Sequence, residues 1–254
     1  MAFTHIWNKL HLYRKEIVLI NLLALLLFAG TTAEAQEKIM TMNKPGYDER
    51  PVHYGFYLAV PFTKYNLQHS KAYVDQQNAT TPHVDVNTKT SVGFYTGLVL
   101  NVRLAQYLDA RFVPGVGFYN RKIEFANALQ DSGERMDEDQ SINSTVIELP
   151  FLLKYRAKRR SNLRPYLVAG VKPGIDLGKA KNDAGDNKEL RVETFDIALE
   201  YGIGLDVFYP YFKFAPELRF SHGLFDQHKP TGEEYSNYIQ KLTNHNVSLI
   251  FFFE

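Results

Sequence analysis

Residues 92–119 read VGFYTGLVLNVRLAQYLDARFVPGVGFY, and their alternation decides the fold. In the first half Val92, Phe94, Leu98, Leu100, Val102 and Leu104 share one face. Gly93, Tyr95, Gly97, Asn101 and Arg103 share the other. In the second half Leu108, Ala110, Phe112, Pro114, Val116 and Phe118 oppose Tyr107, Asp109, Arg111, Gly115, Gly117 and Tyr119. A period of two marks a β-strand whose two faces meet different surroundings.

Four further runs obey the same rule, around residues 147–156, 166–177, 195–207 and 212–221. A first strand near His53–Tyr65 and a last near Asn244–Phe253 bring the count to eight. The connections run approximately 66–89, 105–106, 121–144, 158–163, 178–192, 208–210 and 223–243, so long and short alternate. An even strand number, short periplasmic turns, long outer loops and apolar-out alternation define outer-membrane barrels. The predicted fold is all-β: an eight-stranded antiparallel up-and-down transmembrane β-barrel. A soluble lipocalin-like barrel, with its apolar face inward, is the competing reading.

Charge placement bears on that choice. One register per hairpin sets Arg103 opposite Asp109 (positions summing to 212) and Glu148 opposite Lys172 (320). A third sets Asp206 opposite Lys213 and Glu200 opposite Arg219 (419). Opposed residues on one sheet face interact, and charges withdrawn from water need partners. These eight residues are the expected lumen charges. Gly93, Gly97, Gly115, Gly117, Gly170, Gly174, Gly202 and Gly204 fall on the same polar face. They suit an interior just wide enough for side chains, hence a plugged barrel.

Upstream, Lys9, Arg14 and Lys15 precede an apolar run from Ile17 to Gly30, followed by Ala33-Glu34-Ala35. This pattern predicts a cleavable signal peptide over 1–35; a retained membrane helix would want about 20 apolar residues. A short periplasmic segment over 36–52 and the barrel over 53–254 complete the expected domains. Removing the leader's three basic and two acidic residues from totals of 29 and 28 leaves zero net charge. A nucleic-acid partner, which needs a basic footprint, is not expected. There is no cysteine, and the one tryptophan, Trp7, leaves with the leader.

No catalytic, cofactor-binding or metal residues emerge. The histidines are scattered, and none shares a strand pair with the nucleophile and carboxylate that hydrolysis would need. His83-Val-Asp85 lacks further ligands of fitting spacing. The acidic stretch Asp131–Asp139 lacks the fixed spacing of a calcium loop. No small-molecule substrate is expected. Lys158, Arg159 and Arg160 form a basic periplasmic turn, read either as headgroup attraction or as a docking point for a periplasmic partner. The final run, NHNVSLIFFFE over 244–254, resembles the terminal strand that barrel-assembly machinery recognises.

The segment Ile147–Val171 carries E-x-P-x-x-x-K-Y (Glu148, Pro150, Lys154, Tyr155) and R-P-Y-x-x-x-G (Arg164, Pro165, Tyr166, Gly170). Both halves resemble the small outer-membrane barrels of Bacteroidota. The turn around Lys158 and the Gly174-Ile-Asp-Leu177 exit look most like the PorT/SprT family of the type IX secretion system. That resemblance implies a non-enzymatic accessory of protein export, and of gliding motility where present. Its implied partners are outer-membrane lipid, the assembly machinery and type IX secretion components. A generic surface barrel for adhesion or membrane integrity, and a lipid-modifying enzyme, are the competing functions.

Overall fold

The computed structural model describes residues 42–78, 84–129, 135–177, 191–229 and 234–254. The predicted leader, His83, the first part of the acidic stretch and most of the 178–192 connection therefore lie outside the described residues. A 3-10 turn, Tyr47–Glu49, precedes β1 (Val52–His69), helix α1 (Lys71–Gln77), β2 (Asp85–Lys89), β3 (Ser91–Val92) and β4 (Phe94–Arg103). Then come β5 (Leu108–Phe112), β6 (Gly115–Leu129), β7 (Arg135–Glu148), β8 (Phe151–Arg156) and β9 (Leu163–Asp176). The chain ends with β10 (Arg191–Val192), β11 (Phe195–Phe208), β12 (Lys213–Gly223), β13 (His228–Lys229), α2 (Glu234–Asn237) and β14 (Ile239–Phe253).

Eight antiparallel staves form a closed ring. Pro114 separates β5 from β6 and Pro150 separates β7 from β8, because proline has no N–H to give a ladder. Pairing continues across both breaks through Val113 N–H to Pro150 O, 3.0 Å, and Leu98 N–H to Pro114 O, 2.9 Å. Each pair is therefore one stave. Around the ring the neighbours are β1, β4, β5/β6, β7/β8, β9, β11, β12 and β14. The ring closes where β14 pairs with β1, from Phe56↔Phe253 to Gln68↔Lys241. Closure leaves no free edge, the condition for a sheet to cross hydrocarbon.

The faces sort as the alternation predicts. Leu98, Leu167 and Ile203 point outward and stay more than half exposed, while Arg111, Lys154 and Arg219 are buried. A soluble barrel would invert this arrangement, so the lipocalin-like alternative fails. Short turns close one end. Tyr209-Pro210-Tyr211-Phe212 is held by Tyr209 N–H to Phe212 O at 3.0 Å, with proline at its favoured second position.

Three expectations need correction. The 121–144 connection is mostly strand: β6 and β7 continue past the barrel and pair from Arg121↔Ile142 to Phe125↔Glu138. Its carboxylates on both faces disguised it, since Asp and Glu are depleted in strands. β2 adds to the outer edge of β6, and Tyr65, Val86, Ile123, Phe125, Ile239 and Leu242 form an apolar core inside this extension. The 66–89 and 223–243 connections are likewise partly ordered into α1, β2, β13 and α2.

The other two corrections concern registers. The β11–β12 ladder sets Gly202 opposite Arg219 and Phe208 opposite Lys213, a sum of 421 in place of 419. The β8–β9 ladder sets Phe151 opposite Val171, and β7–β9 sets Glu148 opposite Gly174, a sum of 322 in place of 320. Turn geometry fixes hairpin register, and both turns are centred one residue further along the chain than assumed. The third register stands: Arg103 faces Asp109.

Candidate functional site

The interior of the barrel is the most chemically distinctive part of the molecule. Asp206, fully buried, meets Lys154 at 2.8 Å, Arg164 at 3.0 Å and Lys213 at 3.8 Å. Lys213 also meets Glu254 at 2.5 Å, and Glu254 meets Arg111 at 3.5 Å. The chain of charges goes on through Arg111–Glu217 at 2.8 Å, Glu217–Arg219 at 2.5 Å and Arg219–Glu200 at 3.2 Å. Glu200–Lys172 at 3.3 Å and Lys172–Glu148 at 3.0 Å complete it. Opposite charges thus alternate along the bore, six cations to five anions. Tyr166 donates to Glu217 at 2.9 Å and Tyr119 to Glu148 at 2.6 Å. Buried charges are tolerable only when paired and hydrogen-bonded in this way.

Of the expected lumen charges, three partnerships occur as ion pairs: Lys172–Glu148, Arg219–Glu200 and Lys213–Asp206. They form diagonally, because the true registers differ by two residues and long side chains span that offset. Arg103 and Asp109 face each other in the ladder, but Asp109 is bridged by Arg156 at 3.3 Å. Sequence reasoning did not count Lys154, Arg164, Arg111, Glu217 or Glu254 among the lumen charges. Each lies on the polar face of its strand, and Glu148, Lys154, Arg164 and Tyr166 are the fixed letters of the two motifs. That coincidence was the available signal.

Glycines give the tyrosines room. A Cβ on Gly204 would stand 2.2 Å from the Tyr166 ring, and one on Gly115 would stand 2.0 Å from the Tyr57 hydroxyl. Beyond the charges, Tyr65, Arg121, Asp176, Asp196, Asn244 and Asn246 line a cavity of about 30 Å³. A space of that size holds a water or two. Above it sits the apolar core of the extension. The bore is filled by side chains, which suits a rigid body better than a conduit.

The short-turn end is capped by the segment before β1. Gly46 takes a left-handed backbone, φ 80°, that turns this segment under the barrel. Asn43 donates its backbone N–H to Asn162 Oδ1 at 2.9 Å and its side-chain amide to Phe208 O at 2.9 Å. Tyr47 stacks on His53 at 4.2 Å between centroids and donates to Glu254 at 3.3 Å. Arg159 donates to Asn43 O and to Asn162 Oδ1 and lies over the Phe208 ring at 3.7 Å. The basic turn is thereby divided: Arg159 holds the cap, while Lys158 and Arg160 remain exposed.

The histidines do not converge on a hydrolytic arrangement. On the outer face Tyr201 Oη lies 3.0 Å from His222 Nε2, and His222 Nδ1 lies 2.8 Å from His245 Nδ1. His69 contacts Val86 O at 2.9 Å and His228 contacts Ser236 Oγ at 3.0 Å. Among the described residues no group of three His, Cys, Asp or Glu side chains is placed to hold a metal ion.

A family model described as outer membrane protein beta-barrel domain matches residues 34–229. No curated protein matches the chain. Among solved structures it is similar to the outer membrane protein OprG from Pseudomonas aeruginosa, with 13% identity over 78% of this chain and 93% of that one (TM-score 0.40). It is also similar to Neisserial surface protein A, with 13% identity over 80% and 98% (TM-score 0.37). A third is Ail, the attachment invasion locus protein of Yersinia pestis, with 10% identity over 79% and 96% (TM-score 0.33). With its apolar exterior, closed ring and family match over most of its length, the chain belongs to the outer membrane protein β-barrel domain family and resides in the outer membrane.

Proposed function

We propose that this barrel is a non-enzymatic accessory of protein secretion by the type IX pathway, and of gliding motility in species that glide. The observation carrying this reading is where its motif residues lie. Glu148, Lys154, Arg164 and Tyr166, letters that resemble the small outer-membrane barrels of Bacteroidota, build the ion-paired filling of the bore, and the K-Y-R-A-K-R turn that looks most like the PorT/SprT family starts at Lys154 within it. A filled bore leaves the outside of the molecule to do the work. The barrel then acts through contacts with secretion components and depends on the assembly machinery for its insertion. Deleting the gene and comparing secretomes tests the reading: cargo of the type IX pathway is expected to be retained in the cell. Normal export in the deletion strain would overturn it.

A generic surface role has one specific observation in its favour. The β6–β7 extension carries its own apolar core, so it presents a stiff outer surface suited to adhesion. Unchanged export together with lost adherence in the same strain would select this second reading.

A further inference from the structure

An apolar groove of about 610 Å³ is cut into the outer face of the barrel near its periplasmic end. Its upper wall is one cross-strand row, Leu167, Ile203, Leu218 and Leu249, paired in register across β9, β11, β12 and β14. Below that row Pro165 and Pro216, on either side of Leu205, put tied-back rings where the row above has long side chains, and the three residues line the recess. Glu217 and Tyr166 contribute to the floor, but their side chains turn inward to the bore network. The volume lies within the range of about 300–1,000 Å³ typical of ligand sites.

Its periplasmic rim has two halves. Tyr155 and Ala157 line the groove, and Lys158 follows directly. Lys158 and Arg160 are exposed, and among the described residues neither side chain has an ion-pair partner. On the other side, Tyr209 and Tyr211 of the β11–β12 turn are exposed. That turn is tied to the basic one by Phe208 N–H to Asn162 O at 2.8 Å. Amphipathic aromatics gather at headgroup level, and basic residues beside a bilayer attract anionic lipid.

We propose that this groove holds an acyl chain of an anionic phospholipid from the periplasmic leaflet, with Lys158 and Arg160 on its phosphate. The charge of the rim selects the headgroup, and the dry recess selects the chain. The assignment rests on the location of the barrel, not on the secretion reading, so either can fail alone.

The test is native mass spectrometry of the mature barrel released from micelles doped with phosphatidylglycerol or phosphatidylethanolamine. One phosphatidylglycerol per barrel is expected to be retained in preference to phosphatidylethanolamine. The paired variant K158S/R160S is expected to lose about thirtyfold in that preference, the effect of roughly two basic residues near an anionic surface. The variant L205W fills the recess with both charges intact and is expected to lose the bound lipid. Heat-modifiable migration and circular dichroism certify that each variant is folded. Should a variant not fold, high salt on the unmodified barrel gives the same answer by erasing the preference. Equal retention of the two lipids, or retention by L205W, would overturn the proposal. Displacement of the lipid by inorganic phosphate would also overturn it, because the headgroup alone would then be the ligand.

Discussion

Asp206→Asn is the sharpest test of the interior network. The carboxylate is fully buried and faces Lys154 at 2.8 Å, Arg164 at 3.0 Å and Lys213 at 3.8 Å. At an effective dielectric of about 20, the first two contacts carry gross attractions of about 6 and about 5.5 kcal/mol. Desolvation and repulsion among the three cations offset most of this. What survives is the one-sided cost of removing a buried partner, about 3–5 kcal/mol. Lys213 keeps Glu254 at 2.5 Å, so the stranded charge falls on Lys154 and Arg164. The double variant D206N/K154M removes one of those cations with its anion. It is expected to be less destabilised than the sum of the two single variants by about 2 kcal/mol, a coupling within the range for groups sharing one network. Residues 36–254 contain no tryptophan, so the assay is urea unfolding of the barrel in short-chain lipid, followed by circular dichroism and heat-modifiable migration. A loss below about 1 kcal/mol for D206N, the scale of an exposed pair, would show that the bore is wet and the network energetically idle. Strict additivity in the double variant would refute the argument equally.

Three further outcomes are expected. Gly204→Ala should cost about 1–3 kcal/mol by overpacking, since all three nearest atoms to its Cβ belong to Tyr166; an unchanged urea midpoint would mean that the ring moves aside freely. Arg159→Ala removes the contacts to Asn43 and Asn162, so amides of residues 43–50 should exchange faster while those of β11 and β14 do not, read by hydrogen exchange and mass spectrometry. Burial holds the His228 imidazole below its ordinary value, with Asp226 pulling the other way. The unfolded loop then binds the proton more readily, so the contribution of His228 is whole above about pH 6.5 and is lost as pH falls below it. Exchange around residues 226–229 and 239–242, corrected for intrinsic rates, should rise between pH 7 and 5.5, and His228→Gln should abolish that rise.

The sequence makes some levels of this structure legible and hides others for identifiable reasons. Face is a local property: Ile203 and Gly204 differ by one position, and period two sends them to opposite sides. Height along the barrel is not local. It depends on where each turn is centred, and the turns at 157–162 and 209–212 are each centred one residue further along than the sequence reading places them. An even slip changes height but conserves face, which is why Lys172 still meets Glu148 and Arg219 still meets Glu200 although neither pair is directly opposed. Contacts across the bore are hidden more deeply. Arg111 on β5 reaches Glu217 on β12, and Lys154 on β8 passes β9 to reach Asp206 on β11. Both follow only once the ring is closed and narrow enough for side chains from non-adjacent staves to touch. The same closure brings Glu254, at the end of a strand read for its aromatic pattern, under the barrel to meet Lys213, Arg111 and Tyr47. Charge and face can therefore be read from the chain, whereas partnership is a property of the closed ring. The motif letters Glu148, Lys154, Arg164 and Tyr166 carry information because they sit where those two levels meet.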